Sequence, residues 1–421
     1  MTEQIERHNE SRQIRHSVLW EHFQETHEKS EILVSKLVQL QIALPSWALG
    51  TGGTRFGRFR LGGEPRDLKE KIEDAGLVNA LSRAANAVSL HIPWDLPTDP
   101  EMVREQAATL GLHFDAVNSN TFQDQPEQKY SYKFGSLQQA DPDIRRLAIQ
   151  HHLDVIKTGI ALGSKALTIW LADGSSYPGQ LDFKRAFYNT LESLREIYEA
   201  MPEDWSMYIE YKAFEPHFYS MTVGDWGQAL LYTQKIGPRA YTLVDLGHHL
   251  PNTNIEQIVA LLQMEGKLGG FHFNDSKYGD DDLTAGSLKP YQLFLIFKEL
   301  SRGMDNIKSD NTGQISWMID TSHNLKDPLE DLLQSLEAIR IAYAQALLVD
   351  NDRLTAAQLA NDPVTCQEVL QDAFRTDVRP LVAEARRRSG GALDPLAFFR
   401  ENQIRKHLIT QRGREGKASG L

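Results

Sequence analysis

Short apolar stretches alternate with longer amphipathic stretches through most of this chain. The short stretches are rich in β-branched and aromatic residues and have the length of buried strands. The longer stretches repeat apolar residues at the spacing of one helix face. The predicted strands span residues 41–45, 87–92, 113–118, 166–171, 207–212, 241–246, 269–274 and 315–320. The predicted helices that follow them span residues 67–85, 97–110, 141–162, 181–200, 224–236, 254–265, 289–303 and 326–349.

Eight strands, each followed by a helix, is the element count of a (β/α)8 barrel. Parallel strands need such crossover connections. An open doubly wound sheet shows the same alternation, so the count alone leaves that fold open. No GxGxxG fingerprint follows an early strand and no P-loop sequence occurs, which disfavours a nucleotide-binding sheet. We therefore predict an α/β fold, a (β/α)8 TIM barrel with additional N- and C-terminal helices.

The predicted catalytic barrel occupies residues 41–349, and helical extensions flank it. Residues 1–40 form the predicted N-terminal extension, in which an apolar face is predicted from the spacing of Ile14, Val18, Leu19 and Phe23 and, later, of Ile32, Leu33 and Leu37. Residues 350–421 contain helical patterns without strands and end in a polar, glycine-containing tail that is typical of disorder. We expect this C-terminal extension to pack on the barrel or on another subunit.

Composition narrows the classes of partner. The chain of 421 residues has 45 Lys and Arg against 57 Asp and Glu, a net charge of −12. Phosphate binding needs clustered positive charge, so nucleic acid is a poor partner. The one cysteine, Cys366, excludes an intramolecular disulfide and fits a reducing compartment. The polar N-terminus lacks a secretory h-region and the apolar runs are too short to span a bilayer, so we expect a cytoplasmic protein without a membrane partner.

Ligand-type residues lie at or just after the ends of the last four predicted strands. Because the carboxyl ends of barrel strands share one mouth, these side chains are expected to converge there. Carboxylate oxygens and imidazole nitrogens bind Mn²⁺, Mg²⁺, Co²⁺ and Zn²⁺. A single strand-end aspartate is more often a helix cap or turn residue, but four successive strands with ligand-type residues favour a metal site. These residues are Glu210, Asp245, His272 and Asp320.

Three more residues extend this set to a second cation. Asp245 and His248 form D-x-x-H, so His248 can reach a second cation while Asp245 bridges both. Asp280 and Asp282 form D-x-D in a polar loop, and alternate residues of an extended backbone point the same way. A solvated acidic turn is the alternative there. The five carboxylates carry −5, of which two divalent cations would offset +4; without cations, repulsion would raise their pKa values.

Other residues near the predicted mouth could act on a substrate. Lys212 shares a strand face with the carboxylate two positions before it, and could bind a substrate oxygen, form a buried ion pair, or do both. His91 ends the second strand and could act as acid or base on a hydroxyl, although a lone histidine is more often structural. Aromatic rings suit the C–H faces of a sugar, although core packing is commoner. The aromatic residues are Trp47, Phe122 and Trp170.

In this arrangement the residues resemble the xylose isomerase-like barrel superfamily, and within it the L-rhamnose isomerases of the bacterial broad-specificity kind. The resemblance covers residues 40–350 and includes the helical ends. Its motifs are IEYK at 209–212, VDLGHH at 244–249, FHFND at 271–275, GDDD at 279–282 and IDTSHN at 319–324.

The resemblance implies an aldose–ketose isomerase of carbohydrate metabolism that converts L-rhamnose to L-rhamnulose in rhamnose catabolism. It implies two divalent cations per subunit, with Mn²⁺ the first choice and Co²⁺, Mg²⁺ or Zn²⁺ as alternatives. The structural cation would be held by Glu210, Asp245, His272 and Asp320. The catalytic cation would be held by Asp245, His248, Asp280 and Asp282.

The same resemblance implies roles around the substrate. His91 would assist ring opening, Lys212 would polarise the C1 oxygen, and Asp282 would activate a water that shuttles the hydroxyl proton. Phe56 resembles an aromatic residue that this family lends to a neighbouring subunit's site, which implies a homo-oligomer, expected to be a homotetramer. The pocket would be lined by Trp47, Phe56, Phe122 and Trp170.

The sequence leaves the route and some functions open. Hydrogen could move from C2 to C1 as a hydride or by proton transfer through an enediol; the absence of an evident unliganded carboxylate beside C1 and C2 favours the hydride. A ketose 3-epimerase of the same superfamily is the nearest alternative, and the second set of metal ligands disfavours it. An endonuclease IV-type nuclease is disfavoured by the negative charge. A non-catalytic helical scaffold is the remaining alternative, and failure to bind divalent metal would favour it.

Overall fold

The computed structural model describes residues 1–50, 59–215, 219–304, 315–322 and 325–415. The strands are β1 (Ala43–Pro45), β2 (Ala87–Ser89), β3 (His113–Phe114), β4 (Val117–Asn118), β5 (Ala166–Trp170), β6 (Gly174–Ser175), β7 (Ser206–Glu210), β8 (Ser220–Met221), β9 (Ala240–Asp245), β10 (Leu268–Phe273) and β11 (Ser316–Ile319).

Helices follow the strands and flank the barrel at both ends of the chain. The N-terminal and barrel helices are α1 (Thr2–Thr26), α2 (Ser30–Gln39), α3 (Leu68–Ser82), α4 (Pro100–Thr109), α5 (Pro142–Leu162), α6 (Phe183–Ala200), α7 (Trp226–Ile236), α8 (Ile255–Met264), α9 (Pro290–Met304) and α10 (Pro328–Leu347), with a 3₁₀ turn at Ser46–Leu49. The C-terminal helices are α11 (Asn351–Leu359), α12 (Pro363–Arg375), α13 (Arg379–Arg388), α14 (Pro395–Glu401) and α15 (Ile404–Arg412).

Nine of the strands form one parallel sheet in the order β3-β2-β1-β11-β10-β9-β7-β5-β4. β3 and β4 both lie in the predicted strand 113–118; β3 pairs with β2 and β4 pairs with β5. A parallel bridge between His91 and Asn118 adds a further link across the same seam. The sheet therefore closes into a ring, and the predicted (β/α)8 barrel with added terminal helices is confirmed.

Aspartate and asparagine side chains cap the helices that follow the barrel strands. Each accepts a hydrogen bond from a backbone N–H of the first helical turn, a donor that has no partner inside the helix. These caps fix where the loops before α3 to α8 and before α10 end and where those helices begin. The capping residues are Asp67, Asp99, Asp141, Asp182, Asp225, Asn254 and Asp327.

The terminal helices pack on each other, with α1 and α2 both contacting α13. Between α1 and α13, His16 Nε2 lies 2.8 Å from Glu384 Oε2, with both side chains buried. The buried face of α1 includes Trp20, whereas Ile14 and Val18 are 85% and 62% exposed. The predicted apolar face is correct at Phe23, Leu33 and Leu37, which are buried, and wrong at Ile14, Val18, Leu19 and Ile32, which are exposed. On α1, histidines paired with the C-terminal helices occupy part of the buried side. The division into three segments stays a prediction.

Within the described ranges, no single helix is both long and apolar enough to cross a membrane. Helices α10 and α11 meet that test of length and composition only as a pair, and the two are bent by 64° at their junction. Most of α10 is buried against the barrel and its neighbours.

Candidate metal and substrate site

The ends of four adjacent strands bring four ligand-type side chains together at the mouth of the barrel. Glu210 ends β7 and Asp245 ends β9, while His272 in β10 is the register partner of Asp245. Asp320 directly follows β11, and its backbone N–H donates to the Phe273 carbonyl at 2.8 Å. Adjacent parallel strands end together, so their terminal side chains converge on the same space.

The first ligand set, which we call the strand group, comprises Glu210, Asp245, His272 and Asp320. His272 Nδ1 lies 3.0 Å from Glu210 Oε1, 3.8 Å from Asp245 Oδ2 and 3.5 Å from Asp320 Oδ2. One ligand atom from each residue lies within 4.8 Å of all the others. Three oxygens and one nitrogen at this spacing can surround a single divalent cation.

The second set, which we call the loop group, comprises Asp245, His248 and Asp280. His248 Nε2 lies 3.2 Å from Asp280 Oδ1 and 4.0 Å from Asp245 Oδ1. On the other side of the ring, His248 Nδ1 lies 3.1 Å from the Tyr211 carbonyl, which can only accept. With its proton on Nδ1, the imidazole presents the Nε2 lone pair to the carboxylates, as a metal ligand must.

The D-x-D loop differs from its predicted conformation. Asp280 and Asp282 have φ of 52° and 51°, in the left-handed region, so the assumption of an extended backbone is wrong. Asp281 does turn aside, and its Oδ2 accepts from the Lys277 backbone N–H at 2.6 Å. Asp282 lines the cavity, but its Oδ2 accepts from Ser322 Oγ at 2.9 Å, and in the described part of the chain it belongs to neither group.

The pKa values of the strand group reflect an excess of negative charge. Burial raises the pKa of Asp245 well above its ordinary value, and the carboxylates of Asp320 and Glu210 raise it further. Burial alone would lower the pKa of His272, but Glu210 and Asp320 hold it well above its ordinary value. A divalent cation would offset this negative charge, so the residues present fit a metal.

The Lys212 ammonium group forms ion pairs with the carboxylates of Asp280 and Glu215. It also lies over the ring of Trp170, 5.1 Å from its centroid. The predicted buried ion pair is therefore present, and it links Lys212 to the loop group. Glu215 was not identified from sequence; its only signal is its position three residues after the lysine.

Aromatic rings surround His91 at the other side of the cavity. The His91 ring stacks on Trp94 at 4.0 Å and meets the edges of Trp47 and Phe122 at 5.5 and 5.6 Å. Trp170 lies beyond, 4.8 Å from Phe122. Burial lowers the pKa of His91 to about 3, so the imidazole is neutral near pH 7. Its Nδ1 has no hydrogen-bond partner among the described residues.

One cavity of about 1000 Å³ contacts both ligand groups and the aromatic rings. Trp47 connects the aromatic rings to the strand group, because it contacts the His91 ring and its Nε1–H donates to Asp320 Oδ1 at 2.9 Å. Trp94 and this Trp47 contact were not identified from sequence, since both depend on how loops fold at the mouth. Phe56 lies outside the described residues, so its predicted place in a neighbouring site is untested.

Solved structures with the same fold include sugar epimerases. A D-psicose 3-epimerase from Clostridium cellulolyticum H10 is 14% identical, with a TM-score of 0.51 over 72% of this chain and 99% of that chain. A 3-keto-D-glucoside 4-epimerase from E. coli is also 14% identical, with a TM-score of 0.52 over 71% of this chain and 99% of that one. At such identities the likeness shows the fold alone.

Curated relatives are much closer in sequence, although no family model matches the chain. A probable sugar isomerase of Rhizobium meliloti (strain 1021) is 51% identical over 378 residues, which cover 90% of this chain and 87% of that protein. A probable sugar isomerase of Mesorhizobium japonicum (strain LMG 29417) is 50% identical over 379 residues, with the same coverage. By identity and coverage, this chain belongs to the family of these probable sugar isomerases.

Proposed function

We propose that this chain is a metal-dependent aldose–ketose isomerase and that it converts L-rhamnose to L-rhamnulose. The observation that carries the proposal is a pair of ligand groups that share Asp245 and open on one aromatic-lined cavity. Membership of a family named for sugar isomerisation supports the class of reaction. The particular aldose is proposed from the sequence motifs.

Two divalent cations would complete the site, with Mn²⁺ the first choice. The strand group would hold one, and the loop group would hold the other. When bound, the cations would act as Lewis acids that stabilise negative charge on O1 and O2 of the sugar. The donor set of carboxylates and imidazoles fits these ions better than a softer metal.

The side chains of this chain would act on the sugar as follows. Neutral His91, whose Nδ1 has no hydrogen-bond partner in the described part of the chain, would exchange a proton with the ring oxygen or the anomeric hydroxyl as the ring opens. Lys212, which forms ion pairs with Glu215 and Asp280, would donate a hydrogen bond to the C1 oxygen. Asp282 would accept the O2 proton through a water. The hydrogen on C2 moves to C1 as a hydride and the O2 proton moves to O1, which converts aldose to ketose.

The aromatic rings would select for shape and apolarity. Trp47, Phe122 and Trp170 would contact the C–H faces of the sugar, and the C6 methyl of rhamnose would add apolar contact. An apolar pocket rejects an added hydroxyl only weakly. We therefore expect aldoses with a hydroxymethyl group to react as well, more slowly.

The loops around the mouth support the proposal of a homotetramer. Each of the loops that follow the barrel strands carries a large apolar side chain that is more than half exposed. In the proposed homotetramer, a second copy over the mouth would bury these side chains. These side chains belong to Phe59, Leu96, Phe134, Tyr177, Tyr219, Leu250, Tyr278 and Leu325.

The test is to strip metal with a chelator, restore Mn²⁺ and follow conversion of L-rhamnose to L-rhamnulose. We expect no turnover after chelation and full recovery with Mn²⁺. Metal binding with turnover of a different aldose would replace the substrate but keep the reaction. Epimerisation of a ketose at C3 without aldose formation would favour the 3-epimerase instead. Wild-type protein that binds no metal would overturn the proposal.

A further inference from the structure

Asn274, immediately after β10, contacts the carboxylate that the two ligand groups share. Its side chain is buried, and its Nδ2 lies 3.0 Å from Asp245 Oδ1 and 3.1 Å from Asp245 Oδ2. The backbone N–H of Gly247 donates to the same Oδ1 at 2.7 Å. Since Asp245 is itself fully buried, these donors determine how its carboxylate is turned.

The rotation of this carboxylate decides which group each oxygen serves. Asp245 Oδ2 faces the strand group, 3.8 Å from His272 Nδ1. Asp245 Oδ1 faces the loop group, 4.0 Å from His248 Nε2. A turn about the bond from Cβ to Cγ would move both oxygens away from these directions together. An amide nitrogen that lies within hydrogen-bond distance of both oxygens opposes that turn.

The chemistry of an amide suits this place. Asparagine donates N–H groups without carrying charge. A lysine or arginine would also donate, but its positive charge would offset the negative charge that binds cations. The Oδ1 of Asn274 has no donor among the described residues, which is unusual for a buried polar atom. The amide nitrogen therefore donates to the Asp245 carboxylate, while no residue in the described ranges donates to the amide oxygen.

We propose that Asn274 is a positioning residue that orients Asp245 so that each carboxylate oxygen serves a different cation. The inference rests on the two-cation site proposed above. Without Asp245, the strand group keeps three described ligands and the loop group keeps two. The cation at the loop group therefore depends more on the orientation of Asp245.

The experiment compares Asn274→Leu with Asn79→Leu and with wild type. Asn79 lies on α3, away from the cavity. It is also buried, and its side chain donates to the carbonyls of Leu110 and Gly111. Mn²⁺ binding is measured by calorimetry, and magnetic coupling between bound Mn²⁺ ions by electron paramagnetic resonance. In N274L we expect the affinity for the cation at the loop group to fall about 10- to 100-fold, as when an outer-shell partner is removed. We also expect the coupled signal to disappear.

The control N79L should keep both affinities and the coupled signal, whatever it does to stability. Wild-type affinities and coupling in N274L would overturn the role of Asn274. Wild-type protein that fails to bind two coupled ions would give a different result, visible before any substitution, and would overturn the two-cation site and this inference together.

Gly247→Ala provides a second test if N274L does not fold. A Cβ at this position would lie 3.0 Å from Asn274 Oδ1 and 3.2 Å from Nδ2, so the amide must shift by a few tenths of an ångström. We expect a smaller loss of affinity at the same cation and weaker coupling. Unchanged binding and coupling in G247A would count against the inference.

Discussion

The strand group and the loop group differ in what holds their ligands in place. In the strand group, Glu210 and Asp245 end paired strands, His272 lies within one, and Asp320 is tied to its neighbour by a backbone hydrogen bond. In the loop group, His248 and Asp280 come from connections after the strands, and only Asp245 lies on a strand.

This difference has a physical consequence. Hydrogen bonds on both sides of a strand fix the direction of its side chains, so the strand group is preorganised. Asp280 and Asp282 instead adopt φ near 50°, a conformation that costs energy for a non-glycine residue and persists only where surrounding contacts require it. We therefore expect the strand group to bind its cation more tightly than the loop group.

Asp245→Asn should have the largest effect, because it removes the one ligand that both groups share. We expect both cations to be lost at micromolar Mn²⁺ and turnover to fall by about a thousandfold or more, since a Lewis acid contributes several kcal/mol. Metal analysis and the isomerase assay measure the two losses, and circular dichroism checks the fold. A variant that keeps one tightly bound cation would show that Asp245 is not shared.

His248→Ala should separate the two groups. It removes a ligand from the loop group and leaves every strand-group ligand in place. We expect one cation to remain bound and turnover to fall by about a hundredfold or more, as transition-state charge loses its stabilisation. Asp320→Asn is the matched change in the other group, and should weaken the tighter cation and abolish turnover. Equal loss of both cations in H248A would contradict the separation.

Much of the strand group could be predicted from sequence because its geometry follows from periodicity. Eight apolar stretches with helices between them place the ends of parallel strands at one mouth. Ligand-type residues at four successive ends, Glu210 to Asp320, must then converge. No knowledge of loop conformation is needed, and the structure brings these four side chains together as predicted.

The rest depends on contacts that sequence spacing does not encode. Asp282 was assigned to the second cation on the assumption of an extended loop, whereas the backbone there is left-handed and the Asp282 carboxylate accepts from Ser322; its place at the cation stays a prediction. Glu215 and Trp94 reach the site through irregular connections. On α1, the buried side was predicted at Phe23 but not at His16, which is stabilised by Glu384, 368 positions away in the chain.

Asp282→Asn tests how far the loop group extends. Because the Asp282 carboxylate accepts from Ser322 and does not belong to the loop group, we expect Mn²⁺ affinity to change by less than about tenfold. Turnover should fall by about a hundredfold, since proton transfer through a positioned carboxylate typically contributes that much. Asp280→Asn is the comparison and should lose the weaker cation. Loss of that cation in D282N would make Asp282 a ligand.

Trp47→Phe should have the smallest effect, and it tests whether the strand group is held by more than its strands. The substitution keeps an aromatic ring at the cavity wall but removes the Nε1–H donor to Asp320. Loss of an outer-shell partner weakens metal binding by about tenfold or more. We therefore expect the Mn²⁺ affinity of the strand group to fall by about tenfold.

Trp94→Phe is the control for this change, because Trp94 also lines the wall but donates to Gln123, 3.2 Å away, rather than to a ligand. It should alter KM for the sugar and leave Mn²⁺ affinity unchanged. Equal metal affinities in W47F, W94F and wild type would mean that backbone register alone orients Asp320. A loss confined to W47F would mean that even the strand group needs a side chain from a loop to hold its outermost ligand.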